Sequence, residues 1–225
     1  MSENSLQVKR NDFLKVIAAI AMLIDHAAAL PVFADTNAYI IMRSVGRIAF
    51  PIFAYYIAAG FINTHNLKKY VTRLFICAVI SQIPYTLYFK NYLGLNIIFT
   101  FLIAAAVIYF IKLQWHYTAV VIALLPVCAE ILFNIRFDYS IYGIMTVVIF
   151  YLFMDKPHKA GILFTIATLL FSIYMKTPMQ MLAVLSVPLI FIRPPIYVKV
   201  PKYFFYYFYP VHLMVLYMAG ILTNL

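Results

Sequence analysis

The chain has 225 residues, of which 66% are hydrophobic and only 11% charged, and its formal net charge is +10. A soluble domain normally has about a quarter of its residues charged, so this composition excludes an ordinary water-soluble fold. The apolar runs lack the two-residue alternation of a β-barrel, so helices are the expected spanning elements. The basic residues stand singly between apolar runs, which argues against nucleic-acid binding.

Nine apolar runs predict membrane-spanning helices, each of which needs roughly 20 mostly apolar residues. The fifth to eighth runs are short or poorly separated, so the count lies between eight and ten. We therefore expect an all-α, polytopic transmembrane helix bundle of about nine spans, forming one integral membrane domain over residues 1–225. The runs lie near 13–31, 38–62, 71–89, 95–111, 117–134, 140–154, 159–175, 178–192 and 204–223.

The loop charges predict the orientation of these spans. With nine spans and a cytoplasmic N-terminus, twelve basic residues fall on the inner side, and the outer loops hold only Lys90, Arg136 and Lys176. This bias follows the positive-inside rule and predicts a multi-pass protein of the cytoplasmic (inner) membrane. The inner residues are Lys9, Arg10, Lys15, Lys68, Lys69, Arg73, Lys112, Lys156, Lys159, Arg193, Lys199 and Lys202.

Ionisable residues inside the predicted spans are the main functional candidates, because such groups usually face the bundle interior or a water-filled cavity. Asp25 and His26 lie about 18–20 Å along the first helix, past the midplane. Arg47 lies about 13 Å into the second span from the opposite side, which brings the three residues to a similar depth. Arg43 lies one turn from Arg47 on the same helix face.

Each of these residues also has a structural interpretation. Asp25 can form a buried ion pair with Arg47 or Arg43 that fixes helix packing, leaving His26 to face a cavity. His26 can instead make one hydrogen bond between helices. His212 follows Pro210, which predicts a kink, and it either lines the site or packs in the core.

Two further groups of residues also have two interpretations. Glu130 lies near the outer end of its run, where it either forms an interface pair or faces the polar centre. The aromatic run at 203–209 fits an interfacial belt. Its rings could also stack on a nucleobase.

Several segments, taken together and in order, resemble the TraX family of membrane proteins associated with acetylation of conjugative pilin. The chain departs from the family pattern at 193–195, where Arg-Pro-Pro replaces an expected glycine-containing basic loop. The similar segments are LKVIA at 14–18, IDH at 24–26, GRIAFPIFA at 46–54, GF at 60–61 with Thr64, Tyr70, RL at 73–74, SQIP at 81–84, LNIIFT at 95–100, DYSIYG at 138–143, KYFFY at 202–206 and YPVHL at 209–213.

A second similarity links the first span to the acyltransferase-3 family of membrane acyltransferases. In that family a basic residue precedes a proposed catalytic histidine by eleven positions, and Lys15 and His26 have this spacing. Three helical turns would place Lys15 at the inner face and His26 deep in the membrane.

The TraX resemblance implies transfer of an acetyl group from cytoplasmic acetyl-CoA to an amine or hydroxyl acceptor. In that interpretation His26 is the base or a transient acetyl carrier, and Arg47 holds Asp25 or stabilises the oxyanion. The acceptor is left open between a pilin-like N-terminus, a sugar and another small amine or lipid headgroup. The residues assigned to acetyl-CoA are Lys68, Lys69, Arg73 and Tyr206, and those assigned to the cavity lining are Arg43, Asn96, Glu130, Asp138 and His212.

Two other functions compete with this interpretation. A secondary transporter or permease would use Asp25, His26 and Arg47 as a proton or substrate relay. A non-catalytic scaffold would tolerate alanine at all three positions. We expect the bilayer and acetyl-CoA as partners, with no nucleic acid and no metal, and the oligomeric state is left open.

Overall fold

The protein is all-helical, as predicted, in a computed structural model that describes residues 11–192 and 195–222. Lys9, Arg10 and Arg193, which contribute to the predicted orientation, lie outside the described residues, as does Pro194. Two 3-10 helices cover Pro31–Phe33 and Pro178–Leu185. The α-helices are α1 (Phe13–Ala27), α2 (Asn37–Gly46), α3 (Ala49–Asn63), α4 (Leu67–Phe89), α5 (Ile97–Lys112), α6 (His116–Ala123), α7 (Leu125–Phe133), α8 (Ser140–Leu152), α9 (Pro157–Tyr174), α10 (Ser186–Ile192) and α11 (Phe204–Leu222).

Prolines explain why three of the predicted runs are divided into two helices. A proline ring clashes with the carbonyl four residues earlier and removes one helical hydrogen bond. The break between α2 and α3 precedes Pro51, and the break between α6 and α7 precedes Pro126. In the eighth run, Pro188 follows the change from 3-10 helix to α10.

Side-chain caps fix the starts of three helices. The Thr36 hydroxyl accepts the Tyr39 amide at 3.2 Å, and the Asn66 side chain accepts the Lys69 amide at 2.9 Å. Asn96 accepts the Ile98 amide at 3.1 Å and so begins α5. These caps satisfy amide groups that have no partner inside the helix.

Helix lengths do not support the predicted count of nine spans. Within the described residues, four helical segments are long and apolar enough to cross a membrane. They cover Asn37–Asn63, Leu67–Phe89, His116–Phe133 and Phe204–Leu222. The remaining helices are shorter, except α9, whose 18 residues are not apolar enough, and several of the shorter helices are apolar. The apolar helices indicate a membrane protein, and the finer topology stays a prediction.

Small residues allow the helices to pack closely. Ala18, Ala54, Ala78, Ala104 and Ala160 are fully buried. Without large side chains at these positions the backbones can approach each other, as is common between helices in membranes. The main packing pairs are α11 with α4, α3 with α8, α5 with both α6 and α8, and α1 with both α2 and α3.

A short parallel ladder, which the all-α prediction did not include, lies at the end of the bundle where α1 ends. Strand β1 (Gly94–Leu95) pairs with β2 (Arg136–Phe137), and Gly94 faces Arg136. Just beyond it the Asp138 amide donates to the Leu95 carbonyl at 3.0 Å, and the Thr100 hydroxyl donates to the Asp138 carbonyl at 2.7 Å. The ladder therefore fixes the loop that carries Asp138.

Candidate functional site

A polar cavity of about 980 Å³ opens at the end of the bundle where α1, α4 and α9 end. It is built from the C-terminal end of α1, from α2, and from the loops that follow α4, α7 and α9. Its charged and amide-bearing lining comprises Asp25, Arg43, Arg47, Lys90, Asn91, Arg136, Asp138, Lys176 and Gln180, with His26 among them.

An apolar cavity of about 250 Å³ lies toward the opposite end, where α1 begins. Lys15 lines it, and the Lys15 ammonium pairs with Asp12 at 2.9 Å and lies 4.6 Å from the centre of the Tyr56 ring. Most other lining groups are aromatic or aliphatic. They include Met22, Phe53, Tyr70, Leu74, Cys77, Ile97, Phe101, Phe205, Tyr206 and Tyr209.

A small pocket of about 50 Å³, here called the neck, lies between the two cavities and shares lining residues with each of them. The neck shares Asp25, His26, Asp138 and Tyr139 with the polar cavity. It shares Met22, Phe53, Ile97, Phe101 and Tyr209 with the apolar cavity. His26 therefore lies where cavities from opposite ends of the bundle meet.

Asp25 is held by both of the arginines that the sequence placed near it. Arg43 Nη1 donates to Asp25 Oδ2 at 2.7 Å, and Arg47 Nη2 donates to Asp25 Oδ1. Arg47 also reaches the Arg43 carbonyl at 3.0 Å, Gln180 Oε1 at 3.2 Å and the Tyr139 hydroxyl at 3.5 Å. The predicted pairing is thus present as a three-residue cluster that leaves an excess of one positive charge.

Gly46 makes this cluster sterically feasible. A Cβ atom at position 46 would overlap the Cβ, Cγ and Oδ1 atoms of Asp25. The absence of a side chain therefore lets α2 approach α1 closely enough for both arginines to reach one carboxylate.

The His26 ring is hydrogen-bonded to the ring of His212, 2.8 Å from Nδ1 to Nε2. His212 Nδ1 lies 2.8 Å from the Phe208 carbonyl, which can only accept, so this nitrogen carries a proton. In a neutral His212 ring, Nε2 then accepts from His26 Nδ1. A neutral His26 ring that carries its proton on Nδ1 has a free lone pair on Nε2. This Nε2 atom makes no hydrogen bond to a described residue.

The His26 main chain and ring have two further contacts. The Tyr88 hydroxyl donates to the His26 carbonyl at 2.7 Å. The Phe89 ring packs edge-on against the imidazole, with ring centres 5.3 Å apart. The His212 hydrogen bond and the Phe89 contact restrict how the ring can turn.

Asp138 places a second carboxyl group at the neck without a nearby ion-pair partner in the described chain. Burial raises the pKa of Asp138 from about 3.8 to about 6, although Arg47 opposes this shift. A buried carboxyl group with a raised pKa lowers the stability of the fold, so its presence here favours a functional role over a structural one.

Replacing Asp138 with asparagine should therefore stabilise the protein near pH 7.5. Because the folded pKa lies above the unfolded one, stability falls as the pH rises between about 4 and 6, and the full penalty is present above pH 6. The variant escapes this penalty, which corresponds to roughly 2–3 kcal/mol. Unfolding in detergent should show the gain at pH 7.5 and its loss at pH 4. An equal gain at both pH values would contradict this account.

The residues predicted to bind acetyl-CoA lie at the end of the bundle where α4 begins, but only Tyr206 lines the apolar cavity. Lys68 and Lys69 are exposed in the first turn of α4. Arg73 lies beside Tyr203 and Tyr206 in an apolar groove of about 550 Å³ between α4 and α11.

Three of the predicted cavity-lining residues lie outside the polar cavity. Asn96 is fully buried, caps α5 and binds Gln82 Oε1 at 2.9 Å, so it stabilises helix packing. Glu130 is exposed and pairs with Arg136 at 3.4 Å, outside the cavity. His212, which is 5% exposed, lies behind His26 and does not line the polar cavity. Arg43 and Asp138 do line it.

Sequence reasoning missed several residues of the polar cavity. Gln180 lies in an apolar run, and Tyr139 has a left-handed backbone (φ 59°) before α8, a conformation that is uncommon for a bulky residue. Lys90 and Lys176 were identified only as outer-loop exceptions to the positive-inside bias. Their departure from the positive-inside bias was the signal in the sequence that could have placed them in the polar cavity.

Comparison with known proteins extends these observations. The chain is 41% identical over 69 residues to a probable fimbrial assembly protein, FimC, of Dichelobacter nodosus, covering 31% of this chain and 28% of that protein. It is 39% identical over 101 residues to an uncharacterized protein of Rickettsia prowazekii (strain Madrid E), covering 45% and 37%. Each alignment thus covers about a third of the relative's length. No solved structure matches the chain.

The family comparison covers almost the whole sequence. The model of the family described as TraX protein matches residues 10–219. This range includes both cavities, the neck, the Asp25 cluster and the two hydrogen-bonded histidines. The chain therefore belongs to the TraX family.

Proposed function

We propose that this protein is a membrane-embedded acetyltransferase that moves an acetyl group from acetyl-CoA to an amine or hydroxyl acceptor. One observation carries the proposal: His26 lies at the neck between two cavities, and its Nε2 lone pair is free. A donor entering from one end and an acceptor entering from the other would meet at this base. That arrangement separates the two substrates until they reach the reacting atoms.

The apolar cavity is the proposed site for the acyl donor. Its walls suit the apolar part of a thioester arm, and Tyr206 offers a ring near the end where Lys15 lies. Lys68, Lys69 and Arg73 provide positive charge on the same end for the cofactor's phosphates. No described carboxylate forms an ion pair with these three residues.

The proposed reaction needs one base and one group that stabilises negative charge. The acceptor nitrogen or oxygen attacks the thioester carbonyl, its proton passes to His26 Nε2, and the C–S bond breaks as the new acyl bond forms. The proton then leaves with the CoA sulfur as a thiol. His212 can accept the Nδ1 proton of a charged His26, and Arg47 is the candidate for oxyanion stabilisation. A transient acetyl-His26 intermediate is an alternative order for the same bonds.

The acceptor and the location belong to the same proposal. We place the protein in the cytoplasmic membrane as a multi-pass protein, with a cytoplasmic N-terminus and the polar cavity facing outward. The similarity to a probable fimbrial assembly protein supports a pilin-like N-terminal amine as acceptor. The resemblance of the Lys15–His26 spacing to that of acyltransferase-3 proteins stays a prediction from the sequence.

Purified protein should consume acetyl-CoA in the presence of an acceptor, and co-purified CoA should be detectable by mass spectrometry. Tyr206→Ala should raise the KM for acetyl-CoA by about tenfold with little change in kcat, because a lost ring contact weakens binding of substrate and transition state equally. Tyr117→Ala is the matched control, since Tyr117 is 93% exposed and lines none of the cavities described above. An equal effect of both substitutions would argue against donor binding in the apolar cavity.

A transporter is the second candidate, because the polar cavity, neck and apolar cavity follow one another from end to end. In that case Asp25, His26 and Arg47 would relay a proton or substrate. Proteoliposomes that move a substrate without acetyl-CoA, and that show no acetyl transfer, would favour this function.

A further inference from the structure

The only three basic residues predicted in the outer loops converge on a single cavity. Lys90 follows α4, Arg136 lies in β2, and Lys176 follows α9, so they come from three separate loops. All three line the polar cavity together with Arg43 and Arg47. Basic residues are disfavoured on the outer side of a membrane protein, so their convergence indicates a local need for positive charge.

The charge of the polar cavity is unbalanced. Five cationic side chains line it, against the two carboxylates of Asp25 and Asp138. Asp25 is shared by two arginines and can neutralise only one of them. Glu130 pairs with Arg136 from outside the cavity, which still leaves four cations facing two carboxylates. Lys90 and Lys176 form no ion pair with a described residue.

Gln180 adds an unsatisfied donor to this positive surface. It is 3% exposed, and its Oε1 accepts from Arg47, which fixes the orientation of the amide. Its Nε2 lies near enough to Tyr142 to influence that hydroxyl, yet it makes no hydrogen bond of ordinary geometry in the described chain. A buried donor without a partner is costly unless a ligand or water satisfies it.

The convergent cations and the unsatisfied donor call for the same kind of group, a hydrogen-bond acceptor with negative charge. Arginine pairs bind carboxylates and phosphates well because their donors are planar and charged. A cationic acceptor would be repelled by the same surface. Simple solvation explains the exposed lysines, but it does not explain the orientation of Arg47 and Gln180 in the buried wall.

We propose that the polar cavity is an anion-binding acceptor site, and that the acceptor carries a carboxylate or phosphate group close to the amine or hydroxyl that is acetylated. This inference rests on the proposed function in one respect, namely that the bound acceptor is acetylated. The binding of the anion itself does not depend on acetyl transfer, so the two can be tested separately.

Binding is tested in detergent without acetyl-CoA, at constant ionic strength, by calorimetry and by the thermal-unfolding midpoint. The probes are two matched pairs: phosphoethanolamine with ethanolamine, and glycylglutamate with glycylglutamine amide. The anionic member of at least one pair should bind and raise the midpoint, as a ligand of the folded state does. The pair that responds distinguishes a phosphate headgroup from an acidic peptide as the source.

The double variant Lys90→Gln/Lys176→Gln should weaken binding of the anionic probe by at least about tenfold, since two charge-assisted contacts are lost. The control Lys112→Gln/Lys156→Gln removes the same charge from exposed positions outside the polar cavity and should leave affinity unchanged. Equal binding of charged and uncharged probes, or equal loss in both double variants, would overturn the anion site. Anion binding without any acetyl transfer would keep the site and refute the acetyltransferase.

Discussion

Replacing His26 with alanine should lower the rate of acetyl transfer by about 10²–10⁴-fold, the range expected when a general base is lost. The reason is geometric, because Nε2 of His26 is the free basic nitrogen of the two-histidine pair at the neck. Initial rates of CoA thiol release, with acceptor present, measure the effect. Full activity in this variant would remove His26 from the mechanism.

His212 provides a second arm of the same experiment. His212→Ala removes the partner that fixes the ring, so it should reduce kcat by less than loss of His26 does. In the double variant the two losses should not add, since both act through one nitrogen. His158→Ala is the control, because His158 is exposed at the start of α9. Additive effects of the two substitutions would contradict the relay.

Replacing Asp25 with asparagine should cost about 3–5 kcal/mol of stability, as expected when one partner of a buried ion pair is removed. Asp25 is 8% exposed and holds both Arg43 and Arg47, so its loss leaves two guanidinium groups facing each other without a counter-charge. Thermal unfolding in detergent should show a drop of roughly 10 °C.

Two comparisons make this prediction specific to the cluster. Asp35→Asn changes an exposed aspartate outside the cluster and should leave the midpoint unchanged. Adding Arg43→Met and Arg47→Met to Asp25→Asn should recover part of the stability, because the uncompensated charges are gone. A stable Asp25→Asn single variant would show that solvent in the polar cavity screens the arginines.

The helices and the first half of the site could be predicted from sequence because both depend on local spacing. Apolar runs set the helix positions to within a few residues, and the rise per residue placed Asp25, His26 and Arg47 at one depth. The prolines at 51, 126 and 188 could have predicted the helix breaks, but a prediction from hydropathy takes no account of the effect of proline on the backbone.

The rest of the site depends on which helices are neighbours, and no local pattern encodes that. His212 is 186 residues from His26, so their hydrogen bond follows only from the packing of α11 near α1. The convergence of Lys90, Arg136 and Lys176 likewise requires the assembled bundle. Asn96 caps α5 outside the polar cavity, and the sequence does not distinguish such a cap from a lining residue because both are polar residues in an apolar run.

The relay from His26 ends on the backbone carbonyl of Phe208, and this has a genetic consequence. No side-chain replacement at position 208 can delete that acceptor, and a substitution there acts on His212 only through the Phe208 ring, which stacks on the imidazole with ring centres 4.8 Å apart. Only changes that shift the helical register of α11, such as those around Pro210, can displace it. The hydrogen-bond acceptor at the far end of the relay is therefore set by the helical register of α11 and not by the identity of the side chain at position 208.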